Sequence, residues 1–203
     1  MNYQNKNITI KYPNGIKRNI TATNNKLDIN YKNRGMNLEN DLNITNKYYI
    51  DNNIAYIYKK PTPIKVVKAI FDNNHTRVIK EAYYSEPSTT DYNGIYKGHY
   101  IDYEAKETKN KKNFPLSNIH NHQIQHIRNI VKENGICFLI IRFTSLNKTF
   151  LLKGIDFLNY IDSDKYNKSS IKIEYIEENG EIIKDKYLKR VDYLEVVDKL
   201  WRL

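Results

Sequence analysis

The stretch TTDYNGIYKGHYIDYEAKET, residues 89–108, constrains this chain more than any other. Strand side chains alternate between faces, so Tyr100, Asp102, Glu104 and Lys106 point one way while Ile101, Tyr103 and Ala105 point the other. Two carboxylates on one face repel each other unless a cation intervenes, and the repulsion raises a pKa or recruits a metal. A fold that contains this strand must therefore supply something to its polar face.

The flanking segments predict a mixed sheet with helices. RGMNLENDLNITNKYYIDNN places Leu38, Leu42, Thr45 and Tyr49 at helical spacing, which predicts a first amphipathic helix over about 36–50. IAYIYKK (54–60), IKVVKAIF (64–71) and TRVIKEAYY (76–84) read as strands, with a break at Pro61-Thr62-Pro63 and a turn at Asp72-Asn73-Asn74. The last two form a hairpin with Lys65, Lys68, Arg77 and Lys80 facing outward, too much positive charge to bury on both faces, so it is expected to project from the body. Asn93-Gly94 reads as the turn into the acidic strand.

A lysine-rich loop, ETKNKKNFP, follows the strand. SNIHNHQIQHIRNIVKENG then predicts a helix with Ser117 or Asn118 as N-cap and Gly135 at its stop. Residues 136–144 (ICFLIIRFT) and 149–152 read as a buried strand and its neighbour. The tail adds GIDFLNYI, a hairpin around Glu178-Asn179-Gly180, and a terminal helix through Val191, Leu194, Val197 and Trp201. Helices and strands mix without strict alternation, giving an α/β or α+β class around a mixed sheet.

Composition bears on partners. Lys and Arg number 33 against 23 Asp and Glu, a formal charge of +10 over 203 residues, which favours polyanionic ligands. Residues 1–32, rich in Asn and Lys, read as a flexible basic arm preceding a body over 33–203. No apolar run reaches the roughly 18 residues of a membrane span, so a cytoplasmic protein with no membrane partner is expected. The single Cys137 lies in an apolar run and is expected to be a buried, inert thiol.

Oxygen ligands with few other donors suit Mg²⁺, which takes one or two carboxylates, waters and phosphate oxygens, with Mn²⁺ as a substitute. Lys106 can orient a water or neutralise charge on a phosphoryl oxygen, and Asp91, just upstream, can return another carboxylate. Together these suit metal-assisted phosphodiester hydrolysis. A solvated strand face with cross-strand ion pairs meets the same spacing. On the predicted helix, Ile119, Gln123, Ile127 and Ile130 share a stripe, and the Gln123 amide either bonds a backbone group or offers its oxygen to a metal. His120, His122 and His126 lack the glutamate of a zinc protease helix and are read as solvent-facing or phosphate-contacting.

With those residues in view, the chain strongly resembles the RecU family of Holliday junction resolvases. The resemblance is carried by NRGMNLENDLNITNKYY, IAYIYKKPTPIKVVK, VIKEAYYSEPSTTDYNGIYKGHYIDYEAKETKNKKNFPLSNIHNHQIQHI and GICFLIIRF, and extends over about 33–200. It implies a restriction-endonuclease-like mixed sheet with a PD-(D/E)xK core, in which Thr89-Thr90-Asp91 replaces the proline-aspartate start. It further implies Mg²⁺ held by Thr89, Asp91, Glu104 and Gln123, with Lys106 stabilising the transition state and Asp102 as a same-face neighbour in the catalytic group.

The resemblance also implies a homodimer making paired nicks in a four-way junction, and a protruding stalk at about 60–85. Expected DNA contacts are Arg34, Lys60, Lys65, Lys68, Arg77, Lys80, Tyr84, Lys109, Lys111 and Lys112, through phosphates and base stacking. A recombinase or branch-migration protein is an expected partner, though the arm before Arg34 departs from the family pattern. Two alternatives keep the basic charge and change the activity: a restriction-type or repair nuclease on duplex DNA, or a non-catalytic recombination mediator.

Overall fold

The computed structural model describes residues 7–11, 17–21, 37–71, 75–85, 89–163 and 169–203. Among residues 1–35, which form a separate unit, the described part is a pair of antiparallel strands, β1 (Asn7–Lys11) and β2 (Lys17–Thr21). The sequence pattern predicts no strands there. The remainder of the arm expected over 1–32, the expected DNA contact Arg34 and the expected turn at 72–74 lie outside the described residues.

The body begins with α1 (Leu38–Asp51), capped by the Asn37 side chain, which accepts the Asn40 N–H at 2.9 Å. Its helical stripe buries Leu38, Leu42, Thr45 and Tyr49, as the spacing requires. Then come β3 (Tyr56–Lys59), β4 (Ile64–Phe71), β5 (Arg77–Tyr84), β6 (Tyr92–Tyr96), β7 (His99–Thr108) and β8 (Asn113–Pro115). A 3₁₀ turn at Leu116–Asn118 leads into α2 (Asn121–Lys132). The remainder is β9 (Ile136–Phe143), β10 (Lys148–Lys153), α3 (Gly154–Asp162), β11 (Ser170–Lys172), α4 (Ile173–Asn179), β12 (Glu181–Ile183) and α5 (Tyr193–Trp201).

Six strands make one mixed sheet in the order β12-β10-β9-β7-β6-β3, with β7 and β9 parallel and every other pair antiparallel. Helices cover both faces, which is why β9 reads as an unbroken apolar run: it is buried on both sides. Leu38, Leu42, Tyr49, Tyr103, Phe138, Tyr193 and Val197 fill one face beneath α1 and α5. Ile127, Cys137, Leu139, Ile141, Phe157 and Ile176 fill the other beneath α2, α3 and α4. Alternation therefore puts Ile101 and Tyr103 in the first core, and turns Asp102, Glu104 and Lys106 toward α2. Burial pushes the Cys137 thiol well up, as an inert core residue.

Three local expectations change. Asn93-Gly94 is not a turn: both lie inside β6, and the β6–β7 turn is Lys97-Gly98, both at positive φ (48° and 81°). Gly94 is needed for another reason, because a Cβ there would sit 2.0 Å from the Tyr56 carbonyl oxygen of β3. The α2 N-cap is His120, not Ser117 or Asn118, which belong to the 3₁₀ turn. Glu178-Asn179-Gly180 ends α4 instead of turning a hairpin, and Gly180 passes the chain directly into β12.

Among the described residues, strands β4 and β5 pair only with each other, with a bulge near Val67, and have no buried face: Ala69, Val78 and Ala82 alone are part-covered. That fits the projecting hairpin predicted from its charge.

Candidate active site

Glu104 sits at the middle of β7, paired in parallel register with Leu139, and is fully buried. Its Oε1 lies 2.6 Å from Lys106 Nζ and accepts a hydrogen bond from Gln123 Nε2 at 2.9 Å. Among the described residues its Oε2 finds no hydrogen-bond donor. Burial, and next the charge of Asp91, push the Glu104 carboxyl up to about 8, although Lys106 pulls the other way. A buried carboxylate oxygen without a donor is costly, and without a cation Glu104 holds a proton through neutral pH.

Asp91 enters from the segment preceding β6. Its Oδ2 accepts the Ala105 N–H at 3.2 Å, and its own carbonyl accepts the Lys60 N–H at 2.8 Å. Gln123 does two jobs: Oε1 accepts the His120 N–H at 3.0 Å in a capping box at the α2 N-terminus, while Nε2 faces Glu104 and reaches the Thr89 carbonyl at 3.4 Å. The amide nitrogen, not the carbonyl oxygen, thus faces the carboxylates.

Asp102 occupies a second, adjacent arrangement. It is fully buried, and both oxygens are used: Oδ1 accepts from Thr90 Oγ1, and Oδ2 lies 2.8 Å from Lys60 Nζ, 2.8 Å from the Tyr100 hydroxyl and 3.1 Å from His126 Nε2. Lys60 Nζ also donates to Thr89 Oγ1 at 3.0 Å and Thr90 Oγ1 at 2.7 Å. Lys60 is therefore enclosed by protein partners, its side chain 14% exposed. Thr90 is a member that sequence reasoning missed. His126, expected to face solvent or phosphate, turns instead to Asp102. A signal was present, since His126 lies one helical turn beyond Gln123 and Tyr100 shares the Asp102 face.

Among the described residues no cluster of three or more His, Cys, Asp or Glu forms a metal-holding group, so the carboxylate pair Asp91–Glu104 is the acidic content of this site. Lys65, Lys68, Arg77, Lys80 and Tyr84 are exposed on the hairpin, and Lys109, Lys111 and Lys112 are exposed in the loop after β7. None of these eight takes part in the Glu104 or Asp102 contacts. His120 and His122 are exposed and stack on each other, ring centroids 5.4 Å apart.

A six-stranded mixed sheet, flanked by helices and carrying an aspartate at the start of one strand and Glu-x-Lys on the next, is the arrangement of the restriction-endonuclease-like class. The family model described as "Recombination protein U" (RecU) matches residues 33–199, and the chain belongs to that family. It is 46% identical over 198 residues to a protein of Bacillus cereus strain B4264 named "Holliday junction resolvase RecU", covering 96% of this chain and 99% of the relative. Proteins of the same name from Bacillus anthracis strain CDC 684 (46%) and Bacillus cytotoxicus (45%) match over the same shares. No helix among the described residues is long and apolar enough to cross a membrane.

Proposed function

We propose that this protein is a Mg²⁺-dependent, structure-selective endodeoxyribonuclease that resolves Holliday junctions by paired nicks, acting as a homodimer in recombination and DNA repair. The observation that carries this is the Glu104 carboxylate, buried with one unpartnered oxygen beside Asp91 and with Lys106 at 2.6 Å. The residues fit a hard divalent cation, because such an ion satisfies the orphaned oxygen and offsets the Asp91–Glu104 repulsion at once. Two carboxylates are what Mg²⁺ usually takes from protein, waters and phosphate filling the remaining positions.

Asp91 and Glu104 would hold the ion, with Thr89 and Gln123 adjoining; the Gln123 oxygen must first release the His120 amide to join them. When bound, Mg²⁺ or Mn²⁺ supplies Lewis-acid polarisation of the scissile phosphate. Lys106, its side chain 24% exposed, reaches from Glu104 toward solvent, where its ammonium can orient the attacking water and balance charge developing on the phosphoryl oxygens. Exposed lysines, Arg77 and Tyr84 on the hairpin give a four-way junction phosphate contacts and a stacking platform. A dimer suits a substrate that needs two symmetric nicks. The body over 33–203 carries this chemistry, and the arm over 1–32 adds basic charge for DNA.

The test is a synthetic four-way junction incubated with the full chain, with and without Mg²⁺, beside a linear duplex of the same arms. Mg²⁺-dependent paired nicks in the junction and an intact duplex are expected, and Glu104→Ala should bind the junction without cutting it. An intact junction in Mg²⁺, under conditions where a known resolvase cuts it, overturns the proposal; equal cutting of the duplex moves it to a restriction or repair nuclease.

A further inference from the structure

We propose that Lys60, Asp102 and Thr90 form a clasp that positions Asp91 for the cation, a role that rests on the nuclease proposal above. Asp102 has the buried carboxylate's usual requirement, donors for both oxygens, and it has them in full from Lys60, Thr90, Tyr100 and His126. Glu104, two residues along the same face, has the opposite condition. The contrast separates their work: Glu104 has a free oxygen to offer, and Asp102 has none.

What Asp102 holds is the segment that carries Asp91. Thr90 lies between Thr89 and Asp91, is fully buried, and donates to Asp102. Lys60 bridges from Asp102 to the hydroxyls of Thr89 and Thr90, and its backbone N–H reaches the Asp91 carbonyl at 2.8 Å. The three residues 89–91 are thereby fastened through two side chains and one carbonyl. The Asp91 carboxylate accepts the Ala105 N–H at 3.2 Å. The backbone of Asp91 is thus held from behind, by the Lys60 N–H at its carbonyl and by the tethered hydroxyls of the two residues before it, and the clasp does this. It sits where the chain leaves β3 for the β4–β5 hairpin and where it returns toward β6, so both legs of the hairpin meet on Asp102. These are positioning residues: they act through Asp91 and touch neither metal nor DNA.

Thr90→Val keeps the shape of the side chain and removes its hydroxyl, whereas Thr90→Ser keeps the hydroxyl. The Mg²⁺ concentration giving half-maximal junction nicking should rise about 10- to 100-fold in Thr90→Val, the usual cost of losing a partner that orients a ligand. The rate at saturating Mg²⁺ should change little, and Thr90→Ser should restore the wild-type metal dependence. A second measurement is independent of activity: amide exchange of Ala105, whose N–H bonds Asp91, should accelerate in metal-free Thr90→Val while Leu139 in the core strand stays protected. Should Thr90→Val fail to fold, Lys60→Met, which removes the ammonium that bridges Asp102 to Thr89 and Thr90, carries the same two expectations. Unchanged metal dependence together with an unchanged Ala105 exchange rate overturns the clasp. If the wild-type chain cuts no junction, the nuclease proposal falls, and the Ala105 measurement still decides the clasp.

Discussion

Lys106 Nζ lies 2.6 Å from Glu104 Oε1, two positions along one strand, so the ammonium and the carboxylate are fixed by the pleat and not by a loop. A site built on a central strand is held by the sheet's hydrogen bonds, which suits chemistry that needs close placement of charge.

Replacing that ammonium separates binding from chemistry. Lys106→Met should lower the single-turnover nicking rate at saturating Mg²⁺ about 100- to 1,000-fold, the effect of removing one preorganised stabilising group. Junction affinity in a gel shift without Mg²⁺ should be nearly unchanged. A parallel drop in affinity would place Lys106 in DNA binding instead.

Glu104 makes metal-free stability depend on pH in a defined direction. Its folded-state carboxyl is raised from 4.5 to about 8. Below pH 4.5 the group is protonated folded or unfolded; between 4.5 and 8 the unfolded chain releases the proton while the folded chain keeps it, so stability falls as pH rises through that window and levels off above 8. Glu104→Gln removes this dependence. Above pH 8 without metal it should be more stable than the wild type by up to about 5 kcal/mol, the favourable effect of Lys106 being already contained in the shift. Chemical denaturation at pH 6 and pH 9 measures it, and adding Mg²⁺ should stabilise the wild type alone.

The hairpin charges should register in salt dependence. Neutralising Lys65, Lys68, Arg77 and Lys80 together should flatten the slope of log K against log salt by about 0.9 for each phosphate no longer neutralised. Nicking of already bound junction should persist. An unaltered slope would remove the hairpin from the DNA surface.

Gly94→Ala tests the sheet rather than the site. A methyl there meets the Tyr56 carbonyl 2.0 Å away and the Ile57 Cα 2.6 Å away, backbone that a rotamer change cannot move. Edge strand β3 must separate from β6, and because Lys60 follows β3, its ammonium is drawn off Asp102 as well. Destabilisation by at least about 2 kcal/mol in urea denaturation is expected, in line with other overpacked interiors.

Much of this was legible along the chain because the carriers are local. Two-residue alternation placed Glu104 and Lys106 together, and helical spacing turned Gln123 toward them. The projecting hairpin followed from four cations that two buried faces could not accommodate. What local pattern does not encode is pairing across distance: Lys60 meets Asp102 from 42 residues away, and no periodicity links them. The Asn93-Gly94 pair shows the complementary error. Its composition is that of a turn, yet the glycine answers to a neighbouring strand that the local sequence does not mention, while a lysine takes the left-handed turn position at 97. Asn179-Gly180 is similar, since the same residues that tighten a hairpin also stop a helix.

The parallel β7–β9 pair has a consequence for how the molecule acquires activity. Neighbours in parallel cannot be joined by a tight turn, so the chain must travel out through β8 and α2 before β9 can dock beside β7. That excursion is what carries Gln123 and His126 back over Glu104 and Asp102. During refolding, then, a hairpin or an isolated helix can form early without assembling the site. Nicking competence should therefore emerge only once this long crossover has closed, so that the return of activity in a refolding time course reports that closure.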